Sequence, residues 1–141
     1  QKLDPASRSS NMLARILGLN GEIIIGDKAL KAYLKDGKEN FYDLANIWHQ
    51  KTNLPFVFGQ FACVKNKSAY EKIIKKFLKK KIKIPRYILN SYATSRNIEA
   101  NDILWYLSYL HYNIGIKEQK SLKLFISRAR ALKFDPKNKI S

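Results

Sequence analysis

The 141-residue sequence predicts an α/β fold whose C-terminal half is helical. Three observations predict it. "GEIIIGDKALKAYL" sets a continuous β-branched run, Glu22 to Ile25, directly before a glycine turn and a helical period, which is half of a strand-helix-strand unit. "LPFVFGQFACVK" is a second long apolar run with strand composition. After it, apolar residues recur at helical spacing almost to the end of the chain.

Taken in order, Lys2 to Asp4 reads as the end of a short strand that Pro5 breaks. Met12, Leu13, Ile16 and Leu17 then share one helical face, and Gly18 stops that helix. After the run at 22–25, Gly26 and Asp27 form the turn, with Asp27 a plausible N-cap for a helix carrying Ala29, Leu30 and Tyr33. "KDGKEN" is a polar loop. Phe41, Leu44, Ile47 and Trp48 predict a short helix, with Asp43 as its cap and Trp48 as a core anchor. In the second strand Pro55 sits near the beginning, Gly59 marks a bulge, and Cys63 is expected as inert core. Ser68 and Glu71 have capping-box spacing ahead of the stripe Tyr70, Ile73, Ile74, Phe77 and Leu78. Pro85 opens a further helix, "EANDILWYLSYLHYNIG" is the next, closed by Gly115 with its Tyr and Trp residues in the core, and "KEQKSLKLFISRARALKF" is the last.

Composition bounds the function. With 45% hydrophobic residues the chain can bury a core, and its apolar runs fall short of the roughly 20 residues of a membrane helix. The first residues show no charged-then-apolar leader, so a soluble, cytoplasmic protein is expected. Cys63 is the one cysteine, and neither His49 nor His111 has a second ligand at metal spacing, so neither a disulfide nor a metal site is expected. Both histidines read as surface or satisfied interior groups. Lys plus Arg total 27 against 11 Asp plus Glu, a net +16, which attracts nucleic acids, acidic surfaces and small anionic metabolites alike. "KNKSAYEKIIKKFLKKKIKIPR" admits a nucleic-acid-binding or peripheral-membrane reading. Yet Lys72, Lys75, Lys76, Lys79 and Lys80 lie opposite the apolar stripe, where a solvated face is the ordinary explanation. No nucleic-acid motif accompanies them, so nucleic acid is not the expected partner.

"DPASRSSNMLARIL" carries the sharpest chemistry. The first N–H groups of a helix lack intrahelical partners and the aligned peptide dipoles leave partial positive charge there. Ser7, Ser9 and Ser10 add neutral donors, and Arg8 adds a planar fork that matches a carboxylate in two-pronged fashion. The four residues form a candidate carboxylate cradle. A plain N-cap, for which one serine suffices, is the alternative. Gly26 and Asp27 stand at a second turn of this kind, with helix capping the alternative for Asp27.

"DPASRSSNMLARIL", "GEIIIGDKAL", "YDLANIWHQKTNLPFVFGQFACVK" and "LWYLSYLHYNIGIKEQKSLKLFISRARAL" occur in the order found in the chorismate dehydratase family of the futalosine route to menaquinone, which this chain closely resembles. The corresponding family patterns are roughly Asp-Pro-x-Ser-Arg-Thr-Ser, Ile-Gly-Asp-x-Ala-Leu and Tyr-Asp-Leu-x-x-x-Trp-x-x-x-Thr-Gly-Leu-Pro-Phe-Val-Phe. Here Ser9 replaces the threonine and keeps its hydroxyl, and Asn53 replaces a glycine, asparagine being tolerant of left-handed backbone. A sister family making 1,4-dihydroxy-6-naphthoate has Ile-His-Glu where this chain has Ile25, Gly26 and Asp27, and Gly26 cannot act as that histidine base.

The resemblance implies a type II periplasmic-binding-protein-like fold of two lobes, with residues 1–53 in a shortened second, substrate-binding lobe. Residues 54–141 would supply a crossing strand and the C-terminal helices returning to the first lobe. It implies loss of water from chorismate, a dicarboxylate, to give 3-[(1-carboxyvinyl)oxy]benzoate, with no metal or redox cofactor. Ser7, Arg8, Ser9, Ser10, Gly26 and Asp27 would then contact substrate. Family members are longer, and the asparagine and serine held responsible for the chemistry belong to a first lobe that this chain does not match, so no catalytic residue is carried over. A chain of this extent is expected to be inactive alone. A non-catalytic receptor for anionic solutes on the same fold is the rival reading, because fold alone does not decide function.

Overall fold

The structure, a computed structural model, describes residues 7–81 and 83–134, the side chains of 133 and 134 excepted. Among these residues the chain forms seven α-helices: α1 (Arg8–Leu17), α2 (Gly26–Asp36), α3 (Leu44–Thr52), α4 (Lys67–Lys79), α5 (Arg86–Arg96), α6 (Ala100–Ser108) and α7 (Ile116–Phe134). A short 3-10 turn at Lys38–Asn40 occupies the expected polar loop. The described residues fall into two units, one from Gln1–Gly59 with Ile114–Ser141 and one from Gln60–Asn113.

The expected strands are corrected. Among the described residues neither 22–25 nor 54–65 forms a strand, and only an isolated bridge marks Glu22. The strand expected at Lys2 to Asp4 lies outside the described residues. A strand is not a local structure, since its N–H and C=O groups are satisfied only by a neighbouring strand. The described residues supply no such neighbour, so the β-branched and aromatic runs remain extended coil. Cys63 is therefore exposed rather than core, and Val64 beside it is 100% exposed.

The first unit is built around α1. Ser7 caps its start, and Gly18, at φ 69° and ψ 26°, ends it. The Gly18 N–H donates to Arg15 and the Leu19 N–H to Ala14, closing the last turn. Leu13, Ala14 and Leu17 are buried where α1 packs on α3 and α7. Their neighbour is Trp48, 0% exposed, with Ile16, Leu19, Leu44, Ile47, Phe56, Leu124 and Phe125 around the cluster. As expected, Asp43 caps α3, its carboxylate accepting the Asn46 N–H at 3.1 Å, and Trp48 anchors the core.

The exit from α3 explains Asn53. Its backbone is left-handed at φ 55° and ψ 27°, and its N–H donates to the His49 carbonyl at 2.7 Å. Thr52 Oγ1 donates to the Trp48 carbonyl and accepts the Leu54 N–H, turning the chain toward Pro55. Asn53→Val is expected to lose about 1–2 kcal/mol, the penalty of left-handed backbone for a side chain without local hydrogen bonds, while Asn53→Gly retains stability. Urea unfolding of the two variants measures the difference.

In the second unit α5 packs on α6, with Leu89, Ala93, Ile98 and Ile103 buried. Three expectations are revised there. The Ser68–Glu71 capping box does not form, because the helix starts two residues earlier than that cap requires, at Lys67, behind a left-handed Asn66, and Glu71 pairs instead with Lys67 at 3.8 Å. The aromatic residues of 104–112 are not core: Trp105 and Tyr106 are half-exposed, and Tyr109 and Tyr112 more so. The helix meant to run to Gly115 ends at Ser108. Gly115 serves the next element, its N–H donating to Glu118 Oε2 at 2.8 Å while its carbonyl accepts the Gln119 N–H at the start of α7.

Candidate functional site

The N-terminus of α1 sorts the four cradle residues into two pairs. Ser7 and Ser10 are half-buried and bonded to each other: Ser7 Oγ accepts the Ser10 N–H at 3.1 Å and donates to Ser10 Oγ at 2.8 Å. The Asn11 N–H is taken by the Ser7 carbonyl. Arg8 and Ser9 are exposed on the first turn, and their N–H groups have no partner among the described residues. The spacing of Ser7 and Ser10 is the sequence signal for this pairing, since an N-cap hydroxyl reaches the N–H three residues on. The N-cap given as the alternative for one serine is thus present at Ser7, while the sequence does not say which of the three serines fills it.

Chemically, this arrangement can hold a carboxylate. Two backbone N–H groups, the Ser9 hydroxyl and the Arg8 guanidinium share one helix start, where the dipole favours negative charge. The Ser7 hydroxyl already serves the helix and is the less available donor.

The second candidate turn opens α2. Ile25 is extended at φ −135° and ψ 167°, and Gly26 follows at φ 59°, so the chain passes from extended backbone into the helix across one left-handed residue. That conformation favours glycine. Asp27 is a half-buried residue of the first helical turn rather than the N-cap, a position held by Ile25 without a side-chain bond. Its carboxylate is still well placed against the helix dipole. The main packing partners of α1 are α3 and α7, and α2 packs on the 3-10 turn, so the two candidate turns sit on differently supported helices.

Two shallow depressions, of about 380 and 330 Å³, lie elsewhere, against α7 at Lys123, Ile126, Ser127 and Arg130 and against α5 around Tyr92 and Arg96. Neither includes a cradle residue. His49 and His111 are exposed. No helix among the described residues is long and apolar enough to cross a membrane.

Comparison with known proteins gives the family. Residues 2–131 match the menaquinone biosynthesis family, and the chain belongs to it. It is 49% identical over 130 residues to the chorismate dehydratase of Campylobacter jejuni subsp. jejuni serotype O:23/36 (strain 81-176), an alignment covering 92% of this chain and 58% of that relative. The chain thus spans a little over half the length of that curated relative. No solved structure matches the chain significantly.

Proposed function

We propose that this chain is the substrate-holding part of a chorismate dehydratase, acting in menaquinone biosynthesis in the cytoplasm. The observation that carries the reading is the 49% identity over 92% of the chain to a protein of that name. The family match runs through both candidate turns, since residues 2–131 include 7–10 and 26–27. In this reading Arg8, Ser9 and the α1 N–H groups take one carboxylate of chorismate, while Ser7 and Ser10 hold the turn in shape. Gly26 and Asp27 line the substrate from the start of α2. The whole protein would have the two-lobed, periplasmic-binding-like fold with residues 1–53 in the substrate-binding lobe. The joint from extended Ile25 through left-handed Gly26 into α2 supports this, because it is the geometry by which a strand feeds a helix.

The reaction is a hydro-lyase step: chorismate loses a ring proton and its hydroxyl as water, and the ring becomes aromatic. Negative charge that builds up during proton removal is stabilised by fixed donors, each worth about 3 kcal/mol when preorganised. The groups named here bind and orient the acid; no proton-transfer role falls to them. The test supplies chorismate to the protein, alone and mixed with the region of the Campylobacter jejuni relative that this chain does not match. Chromatography should show the aromatic dicarboxylate forming in the mixture. Neither chorismate binding by the chain nor turnover in the mixture, with both parts folded, would overturn the assignment.

A further inference from the structure

We propose that Ser121, on α7, is a positioning residue for the acid-holding start of α1. The inference rests on the reading of Arg8 and Ser9 as carboxylate holders and adds the element that fixes where they stand. It starts from the buried side of α1. Ser10 stands three, four and seven residues before Leu13, Ala14 and Leu17, so it tops the helical stripe that those three buried residues form. Ser10 is also the partner of Ser7, through its N–H at 3.1 Å and its hydroxyl at 2.8 Å. The turn that presents Arg8 and Ser9 is therefore anchored on the stripe, and whatever sets the stripe sets the turn.

Leu13 and Leu17 cluster with Trp48 of α3. Apolar burial is non-directional, so it gathers these residues without fixing how the indole is turned. A hydrogen bond has direction. The Trp48 Nε1–H donates to Ser121 Oγ at 2.9 Å, and Ser121 is 1% exposed. Phe125, one turn further along α7, meets the same indole edge-on at 6.1 Å between ring centres. At the far end of α1, Lys51 donates from Nζ to the Leu17 carbonyl at 3.4 Å, a cation where the helix dipole favours one. Thus α7 fixes the indole, the indole and Lys51 fix α1, and α1 carries the donors. All of these contacts are made within the first unit, and none depends on a surface being left open. A binding group acts at full strength only when the residues behind it hold its geometry. Without the Ser121 hydroxyl the buried indole N–H has no acceptor. The ring then relaxes by turning, which displaces Leu13 and, through Ser10, the turn.

The experiment compares the full chain with Ser121→Ala and Ser121→Thr, at a temperature where circular dichroism shows all three folded. Titration calorimetry reads chorismate affinity, and amide hydrogen exchange reads local opening of the backbone. Ser121→Ala should weaken binding roughly 2–30-fold, the span of couplings carried through intermediary residues. It should also speed exchange at residues 10–14 more than at 31–35 of α2, which packs on the 3-10 turn instead. Ser121→Thr keeps the hydroxyl and should return both readings toward those of the parent chain. A serine that only stabilises the core would leave the affinity of the folded protein unchanged, or would speed exchange equally in α1 and α2; either result overturns the proposal. If the parent chain binds no chorismate, the carboxylate reading fails by itself, and exchange confined to 10–14 still decides whether Ser121 positions the start of α1.

Discussion

Trp48→Ala is expected to cost about 3–5 kcal/mol, the range for deleting a large buried aromatic side chain. A domain's whole stability is about 5–15 kcal/mol, so the variant should lose a large fraction of it. Trp48 is 0% exposed, and its ring makes edge contacts with Phe56 at 5.9 Å and Phe125 at 6.1 Å. Its Nε1–H donates to the Ser121 hydroxyl at 2.9 Å inside the core, and the Arg128 guanidinium lies 5.3 Å from its ring centre. Two further variants separate packing from hydrogen bonding. Trp48→Phe keeps most of the apolar contact but leaves a buried hydroxyl unserved, at about 1–3 kcal/mol; adding Ser121→Ala should recover part of that loss. Far-ultraviolet circular dichroism during urea unfolding measures all three, and a loss below about 1 kcal/mol for Trp48→Ala would contradict the packing described.

Arg8→Ala should weaken chorismate binding by roughly 10–100-fold, since a hydrogen bond to a charged partner contributes about 1.5–3 kcal/mol. Arg8→Lys should restore only part of the affinity, a point charge lacking the paired geometry of the fork. Ser9→Ala should cost a few-fold. Ser7→Ala gives the contrast: its hydroxyl is occupied by the Ser10 N–H, so the change should appear as about 1 kcal/mol of stability and only weakly in affinity. Titration calorimetry gives the affinities and thermal unfolding the stabilities. If Arg8→Ala and Ser9→Ala both leave affinity unchanged, the carboxylate is held elsewhere.

Local signals were readable and nonlocal ones were not. Ser7, Gly18, Asp43 and Asn53 each announce a helix boundary through the backbone groups they satisfy or the left-handed conformation they tolerate, and each stands where its chemistry points. Trp48 was recognisable as an anchor from its place on the face shared with Leu44 and Ile47, but its partner Ser121 was not, because nothing in "KEQKSLKLFISR" marks one serine for burial. The runs 22–25 and 54–65 have strand composition and no strand conformation, since composition cannot supply the neighbour whose carbonyls a strand requires. The apolar faces of α4 and α6 were legible as faces, while the expectation that the aromatic residues of 104–112 lie in a core depended on surroundings that residues 60–113 do not themselves provide. At the candidate site, residue types marked a helix start, and only geometry showed Ser7 and Ser10 bonded to each other with Ser9 left exposed.

The bond between Trp48 and Ser121 joins residues 73 apart in the chain. During translation at about 5–20 residues per second, Trp48 therefore emerges roughly 4–15 s before the serine that completes its surroundings. For that interval the indole and its aromatic neighbour Phe56 lack the α7 residues Ser121 and Phe125 that complete their surroundings. Slowing elongation across the codons for α7 should lengthen that exposure and lower the yield of native protein.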